Sequence, residues 1–123
     1  MRPERRLHPR YVLAASCQVQ LANSQDDTRS LSGQTVNISL NGVQFICDEA
    51  VQRAIASQDD FPLKIYLTIQ LPGPVGEITS SARVVVTRRM ARDRFNLGCE
   101  FADMDDTTRA ALEEYLREYG NPA

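Results

Sequence analysis

The sequence predicts a mainly β fold, a small antiparallel barrel with one amphipathic helix packed on it. Short runs of alternating apolar and polar residues follow one another at close spacing, as in half-buried strands joined by turns. The final segment instead places apolar side chains at helical spacing. With 123 residues, the chain is long enough for one such domain and too short for two.

The clearest strand covers residues 63–71, where leucine or isoleucine occupies every second position. The same alternation predicts further strands over residues 11–21, 34–39, 42–47, 77–89 and 95–101. In the long strand over residues 77–89, Ile78, Ala82, Val84 and Val86 should lie on one face. Residues 22–33 are polar and rich in turn-forming side chains, and we interpret them as a flexible loop.

Two helices complete the prediction. Residues 48–58 have the composition of a short helix with acids in its first turn. A C-terminal helix over residues 107–119 would start at Asp106 as N-cap and end at Gly120. Its apolar stripe includes Tyr115 and Tyr119, which we expect to pack on the barrel.

Composition and charge exclude several classes of function. A net charge of −2 argues against sequence-independent binding of DNA or RNA, and we expect neither partner. No apolar run could cross a bilayer and no signal peptide is visible, so we expect a cytoplasmic protein without membrane insertion. Cys17, Cys47 and Cys99 show no paired spacing, which indicates buried reduced thiols, with redox sensing as the alternative, rather than disulfides or a metal site.

Residues 1–10 form a basic arm. Four arginines (Arg2, Arg5, Arg6 and Arg10) stand against one acid, Glu4, for a net charge of +3. Prolines at positions 3 and 9 favour extended backbone. We therefore predict an extended, mobile arm that seeks anions, followed by the barrel domain over residues 11–120. Guanidinium groups suit phosphate oxygens and the O6/N7 edge of guanine.

The turn between the strands at 34–39 and 42–47 carries a second set of polar groups. Asn37 offers an amide that can bond a base edge, and Ser39 offers a hydroxyl. Gly42 allows a close backbone approach or a positive φ.

These two segments resemble the PilZ family of bacterial cyclic di-GMP receptors. Arg6-Leu-His-Pro-Arg10 is similar to its Arg-x-x-x-Arg motif, and Asn37-Ile-Ser-Leu-Asn-Gly42 to its [Asp/Asn]-x-Ser-x-x-Gly motif. The order of the motifs, the tandem Arg5-Arg6 and the late Leu97-Gly-Cys-Glu-Phe101 are also typical of the family. The resemblance implies a Greek-key, split β-barrel and cyclic di-GMP as ligand, with no further cofactor.

The resemblance also implies roles for individual residues. Arg6 and Arg10 would contact guanine edges and phosphates, Asn37 and Ser39 would bond guanine and nearby polar atoms, and Gly42 would keep the turn open. An arginine at position 5 is found in similar members that hold a stacked nucleotide pair, so we hypothesise two ligand molecules per chain. Asn37 lacks the charge of the aspartate that the family also uses, which predicts modest affinity.

Two further residues are candidates for supplementary contacts. His8 lies between the motif arginines, where an orienting or packing role is favoured over catalysis. Arg88 belongs to a basic hairpin that is either a solvated turn or an additional phosphate contact.

The function predicted from the sequence is that of a cyclic di-GMP receptor. Its arm would change conformation on binding, and an unidentified downstream protein governing motility, exopolysaccharide or biofilm would respond. We do not expect an enzyme, since the side chains for acid–base, nucleophilic or zinc catalysis are not visible. The alternatives are an adaptor of PilZ fold that binds proteins and no nucleotide, as in type IV pilus systems, and a barrel binding single-stranded nucleic acid.

Overall fold

The alternating segments form an antiparallel barrel in the computed structural model, which describes residues 9–21, 31–58 and 63–123. The helices are α1 (Glu49–Ala56) and α2 (Asp106–Tyr119). The strands are β1 (Tyr11–Val12), β2 (Ser16–Leu21), β3 (Leu31–Ile38), β4 (Gly42–Cys47), β5 (Lys64–Gln70), β6 (Glu77–Ala91), β7 (Arg94–Phe101) and β8 (Asn121–Pro122).

Six strands close on themselves in the order β2-β5-β6-β7-β4-β3, with β3 returning to pair with β2. Every pairing is antiparallel. The short β1 continues the sheet from β3, and β8 pairs with β1 outside the closed ring. The predicted fold class, a mainly β antiparallel barrel with two helices, is confirmed.

The barrel interior is filled by the apolar face that the alternation predicted. Phe45, Ile65, Leu67 and Leu97 are at most 1% exposed. Burial of each such side chain is worth about 1.5–3 kcal/mol, so the interior supplies most of the drive to fold. On α2 the side chains of Leu112, Tyr115 and Leu116 are buried. No helix within the described ranges has the length and apolarity to cross a membrane.

Both helices begin at an aspartate N-cap. The Asp48 carboxylate accepts from the Val51 N–H at 3.0 Å at the start of α1. At α2 the cap is Asp105, whose carboxylate accepts from the Thr108 N–H at 2.7 Å. The predicted cap, Asp106, is therefore wrong by one position, because Asp105 has the extended backbone that a capping residue requires.

The packing predicted for the tyrosines of α2 is half right. Tyr115 is buried, but Tyr119 is 51% exposed and lies beside the Tyr115 ring at a centroid distance of 5.6 Å.

The strand predicted over residues 11–21 is interrupted between β1 and β2. The buried Thr35 hydroxyl donates to the Leu13 carbonyl at 2.6 Å and lies 2.9 Å from the Ala15 N–H, which donates to it. This side chain replaces regular strand pairing, although the alternation persists and Leu13 and Ala15 stay buried.

β3 begins three residues earlier than predicted, at Leu31. Leu31 pairs with Val19 and is buried, so residues 31–33 are strand rather than loop. The remainder of the predicted loop, residues 22–30, lies outside the described residues.

A register shift between Val84 and Val86 divides the long strand β6. One extra residue reverses the side-chain alternation, so Val85 and Val86 are both about half exposed. The prediction that Val86 shares a face with Ile78, Ala82 and Val84 is therefore wrong.

Cys17, Cys47 and Cys99 are buried free thiols, as the sequence predicted. Burial raises the pKa of Cys17 and of Cys99 to about 12 and that of Cys47 to about 11. Thiols held in this neutral form are poor nucleophiles at physiological pH.

Candidate ligand-binding site

The turn between β3 and β4 is organised by Ser39. Its Oγ accepts from the Asn41 N–H at 3.1 Å and the Gly42 N–H at 3.3 Å, while the Ser39 N–H donates to the Gly42 carbonyl at 2.8 Å. Ser39 is only 7% exposed. Its oxygen therefore closes the turn, and its own hydroxyl hydrogen is left to donate to a further acceptor.

Gly42 is required by a close approach of two strands. A Cβ atom at this position would lie 2.1 Å from the carbonyl oxygen of Cys99 on β7. Its φ is not in the positive range, so of the two roles the sequence allowed, the structure selects the close approach. Any side chain here would push β4 away from β7.

Asn37 stands on β3 just before the turn, where its Nδ2 donates to Gln44 Oε1 on β4 at 3.0 Å. This bond orients the amide and leaves its Oδ1 to accept from another group. A register shift between Thr35 and Asn37 accompanies this placement.

A cavity of about 320 Å³ opens over these residues. Five residues proposed from sequence line it: Arg10, Asn37, Ser39, Gly42 and Arg88. Arg5, Arg6 and His8 lie outside the described residues. The barrel thus brings together residues that are up to 78 positions apart in the chain, because β1, the β3–β4 turn and β6 meet on one side of the sheet.

The base of the arm is held by β8, an element that the sequence did not predict. The Ala123 N–H donates to the Arg10 carbonyl at 3.0 Å, and Tyr11 pairs with Pro122. Gly120 permits this contact, since a Cβ there would lie 2.5 Å from the Tyr11 ring. The C-terminal segment therefore fixes the backbone that carries the Arg10 side chain.

The floor of the cavity was not identified from sequence. Gln44, Gly98 and Val86 lie side by side across β4, β7 and β6, with Asn96 nearby. Gly98 leaves a shallow depression because it has no side chain. A glycine inside a predicted strand was the available signal, since it often marks close approach of a ligand or another backbone.

The electrostatics of the cavity favour an anion. Glu100 is its acidic lining residue, and the carboxylate is engaged by Arg83 at 3.1 Å. Among the residues the structure describes, Arg10 and Arg88 make no ion pair, so both guanidinium groups can bind a ligand. A polyanion with planar polar groups matches this combination of charge and amide donors.

Comparison with solved structures finds the same fold at low sequence identity. The PilZ domain of YcgR with c-di-GMP from Escherichia coli is 14% identical, with a TM-score of 0.66 over 94% of this chain and 91% of that one. The inhibitor of motility MotI/DgrA of Bacillus subtilis is 17% identical, with a TM-score of 0.70 over 94% of this chain and 50% of that one. The MrkH–c-di-GMP complex of K. pneumonia is 16% identical, with a TM-score of 0.72 over 94% of this chain and 51% of that one.

The chain spans about half the length of MotI/DgrA and MrkH. A search among curated proteins found no significant match. The model of one family, described as PilZ domain, matches residues 4–118. This match covers nearly the whole sequence, and the chain belongs to the PilZ domain family.

Proposed function

We propose that this PilZ domain is a cyclic di-GMP receptor that binds the nucleotide in the cavity beside the β3–β4 turn. The observation that carries the proposal is a shared cavity: the guanidinium groups of Arg10 and Arg88, which make no ion pair with any described residue, line it together with Asn37 and Ser39. The YcgR domain and MrkH, which share the fold, were each solved with c-di-GMP.

The chemistry of the cavity suits a cyclic dinucleotide. Guanidinium groups form paired hydrogen bonds with phosphate oxygens or with the O6/N7 edge of guanine. The Asn37 amide is held by Gln44 and can accept from a guanine N–H through Oδ1. Arg6 would add a second guanidinium from the arm, four residues before Arg10.

Arm closure is the proposed response to the nucleotide. Fixing backbone costs about 1–2 kcal/mol per residue, so the arm should order only around a ligand that supplies several charged contacts. The reorganised arm would present a new surface to a downstream protein that controls motility, exopolysaccharide or biofilm formation. MotI/DgrA, described as an inhibitor of motility, is a protein of similar fold.

Isothermal titration calorimetry of cyclic di-GMP into the protein tests the proposal, with GTP as specificity control. Each lost charged contact should cost about 1.5–3 kcal/mol, so an Arg6→Ala/Arg10→Ala variant, which loses two, should bind about a hundredfold more weakly or worse. Arg88→Ala should also weaken binding. Arg92→Ala removes the same charge from the same hairpin without lining the cavity, and it should bind like the wild type.

The stoichiometry of the same titration tests the role of Arg5. Two nucleotides per chain would support stacking of a nucleotide pair beside its guanidinium group. A ratio of one would reject that role and leave the receptor proposal standing. Absence of binding at high micromolar nucleotide would reject the receptor proposal and leave a PilZ-fold adaptor for proteins.

A further inference from the structure

A second cavity, of about 250 Å³, lies on the other side of the arm's base. We refer to it as the α2 groove; its lining residues are Pro9, Tyr11, Leu40, Glu113, Leu116 and Arg117. Tyr11, Leu40 and Leu116 give it an apolar floor. Glu113 and Arg117 stand on α2 with opposite charges, so these two residues add no net charge to the groove. An apolar side chain is therefore a better occupant than a charged one.

The chain passes between the two cavities with alternating side chains. Arg10 lines the ligand cavity, whereas its neighbours Pro9 and Tyr11 both line the α2 groove. Side chains alternate along extended backbone, so the extended arm predicted from the sequence would place position 7 on the groove side and positions 6 and 8 on the ligand side. Position 7 is a leucine and position 6 an arginine.

We propose that the α2 groove is the docking site of Leu7 of this same chain, and that Leu7 anchors the arm so that Arg6 faces the ligand cavity together with Arg10. Two extended residues span about 7 Å, so Leu7 is within reach of a groove that Pro9 already lines. Within residues 2–8, Leu7 is the one aliphatic side chain apart from a proline.

The groove is rigidly built on the side that would receive Leu7. Arg109 of α2 donates to the Leu40 carbonyl at 3.3 Å, which fixes the β3–β4 turn against the helix. Leu116 is 5% exposed, and Tyr11 pairs with Pro122 and has its ring close to Gly120, where a Cβ would collide with it. A preformed groove lowers the entropy cost of placing the arm, since only the arm has to be ordered.

Docking of Leu7 is tested directly by methyl and aromatic NMR of the full chain, with and without cyclic di-GMP. Nuclear Overhauser effects from the Leu7 methyl groups to the Tyr11 ring and Leu116 methyls are expected within one molecule. Their absence in both states would overturn the proposal. Their appearance only between differently labelled molecules would also overturn it, because a second copy would then fill the groove.

The anchoring role rests on the proposed function and is measured by nucleotide affinity. Leu7→Ser should weaken cyclic di-GMP binding about tenfold, although every arginine is retained, whereas Leu7→Met should stay within a few-fold of the wild type. Equal affinity of Leu7→Ser and wild type would overturn the anchoring role. Failure of the docking proposal can be distinguished from failure of the receptor proposal. If Leu7 makes the intramolecular contacts but the protein binds no nucleotide, docking is supported and the receptor function is rejected.

Discussion

Buried thiols should make the fold sensitive to alkaline pH. In the folded state the pKa values of Cys17, Cys47 and Cys99 are about 12, 11 and 12, against an ordinary value of 9.0. In each case the main cause is removal of the thiol from water, which penalises the thiolate. As pH rises above 9 the unfolded chain therefore releases these protons first. Stability is fully present below that pH; it is lost between 9 and about 11 for Cys47, and between 9 and about 12 for Cys17 and Cys99.

The size of the effect follows from the number of thiols. Each one contributes roughly 1 kcal/mol of lost stability per pH unit within this window. For three thiols the loss amounts to roughly 6 kcal/mol between pH 9 and pH 11. A domain has about 5–15 kcal/mol in total, so this loss removes a large part of the free energy of unfolding.

Urea unfolding followed by far-ultraviolet circular dichroism measures this loss, at pH 7 and at several values from 9 to 11 with a reductant present. A Cys17→Ala/Cys99→Ala variant will be less stable at pH 7 because of the cavities, but between pH 9 and pH 11 it should lose roughly 4 kcal/mol less stability than the wild type. Contributions from all other groups are common to both proteins and cancel in this difference. Equal slopes for both would refute the reasoning.

Three further predictions concern backbone contacts and helix caps. Gly42→Ala should lower the urea midpoint by more than Gly98→Ala, because its Cβ would overlap the Cys99 carbonyl whereas a Cβ at 98 would lie 3.4 Å from its nearest neighbour; similar midpoints would contradict this. Asp48→Ala should cost about 0.5–2 kcal/mol of unfolding free energy through loss of an N-cap bond, and Asp48→Asn much less. The pKa of Asp105 is lowered by a backbone N–H bond, so its contribution is present above its ordinary pKa of 3.8 and lost below it. In Asp105→Asn the helical content, measured by circular dichroism, should therefore fall less steeply between pH 5 and 2 than in the wild type. The same pH dependence in both proteins would disprove that role.

Local periodicity was sufficient to predict most of the barrel. β5 could be predicted without knowledge of its tertiary contacts, because Leu or Ile occupies every second position and a polar side chain or tyrosine lies between them. Features that depend on a single extra residue were missed. The bulge beside Val85 reverses the alternation of β6, and a run of three valines gives no sign of where it lies.

Tertiary partners account for the other differences. The interruption before β2 depends on the hydroxyl of Thr35, which stands 20 residues from Ala15 in the chain. β8 exists because β1 offers it a free edge, and neither strand has enough residues to be recognised alone.

The site was predicted in outline only. Motif residues Arg10, Asn37, Ser39 and Gly42 line one cavity, and their contacts with a nucleotide remain a prediction. Gln44 and Val86 could not be assigned to it from sequence, because the strands that carry them are brought to either side of β7 only when the barrel closes.

The contacts of α2 connect the two parts of the ligand cavity, the β3–β4 turn and the backbone at Arg10. One bond from Arg109 holds the β3–β4 turn, while Gly120 and the residues after it hold the backbone at Arg10 and Tyr11. Both halves of the cavity are thus attached to one helix. By thermodynamic linkage, a ligand that binds more tightly when α2 is seated strengthens the seating of α2 on the barrel. A protein that lifts α2 away then weakens binding of that ligand by the same factor.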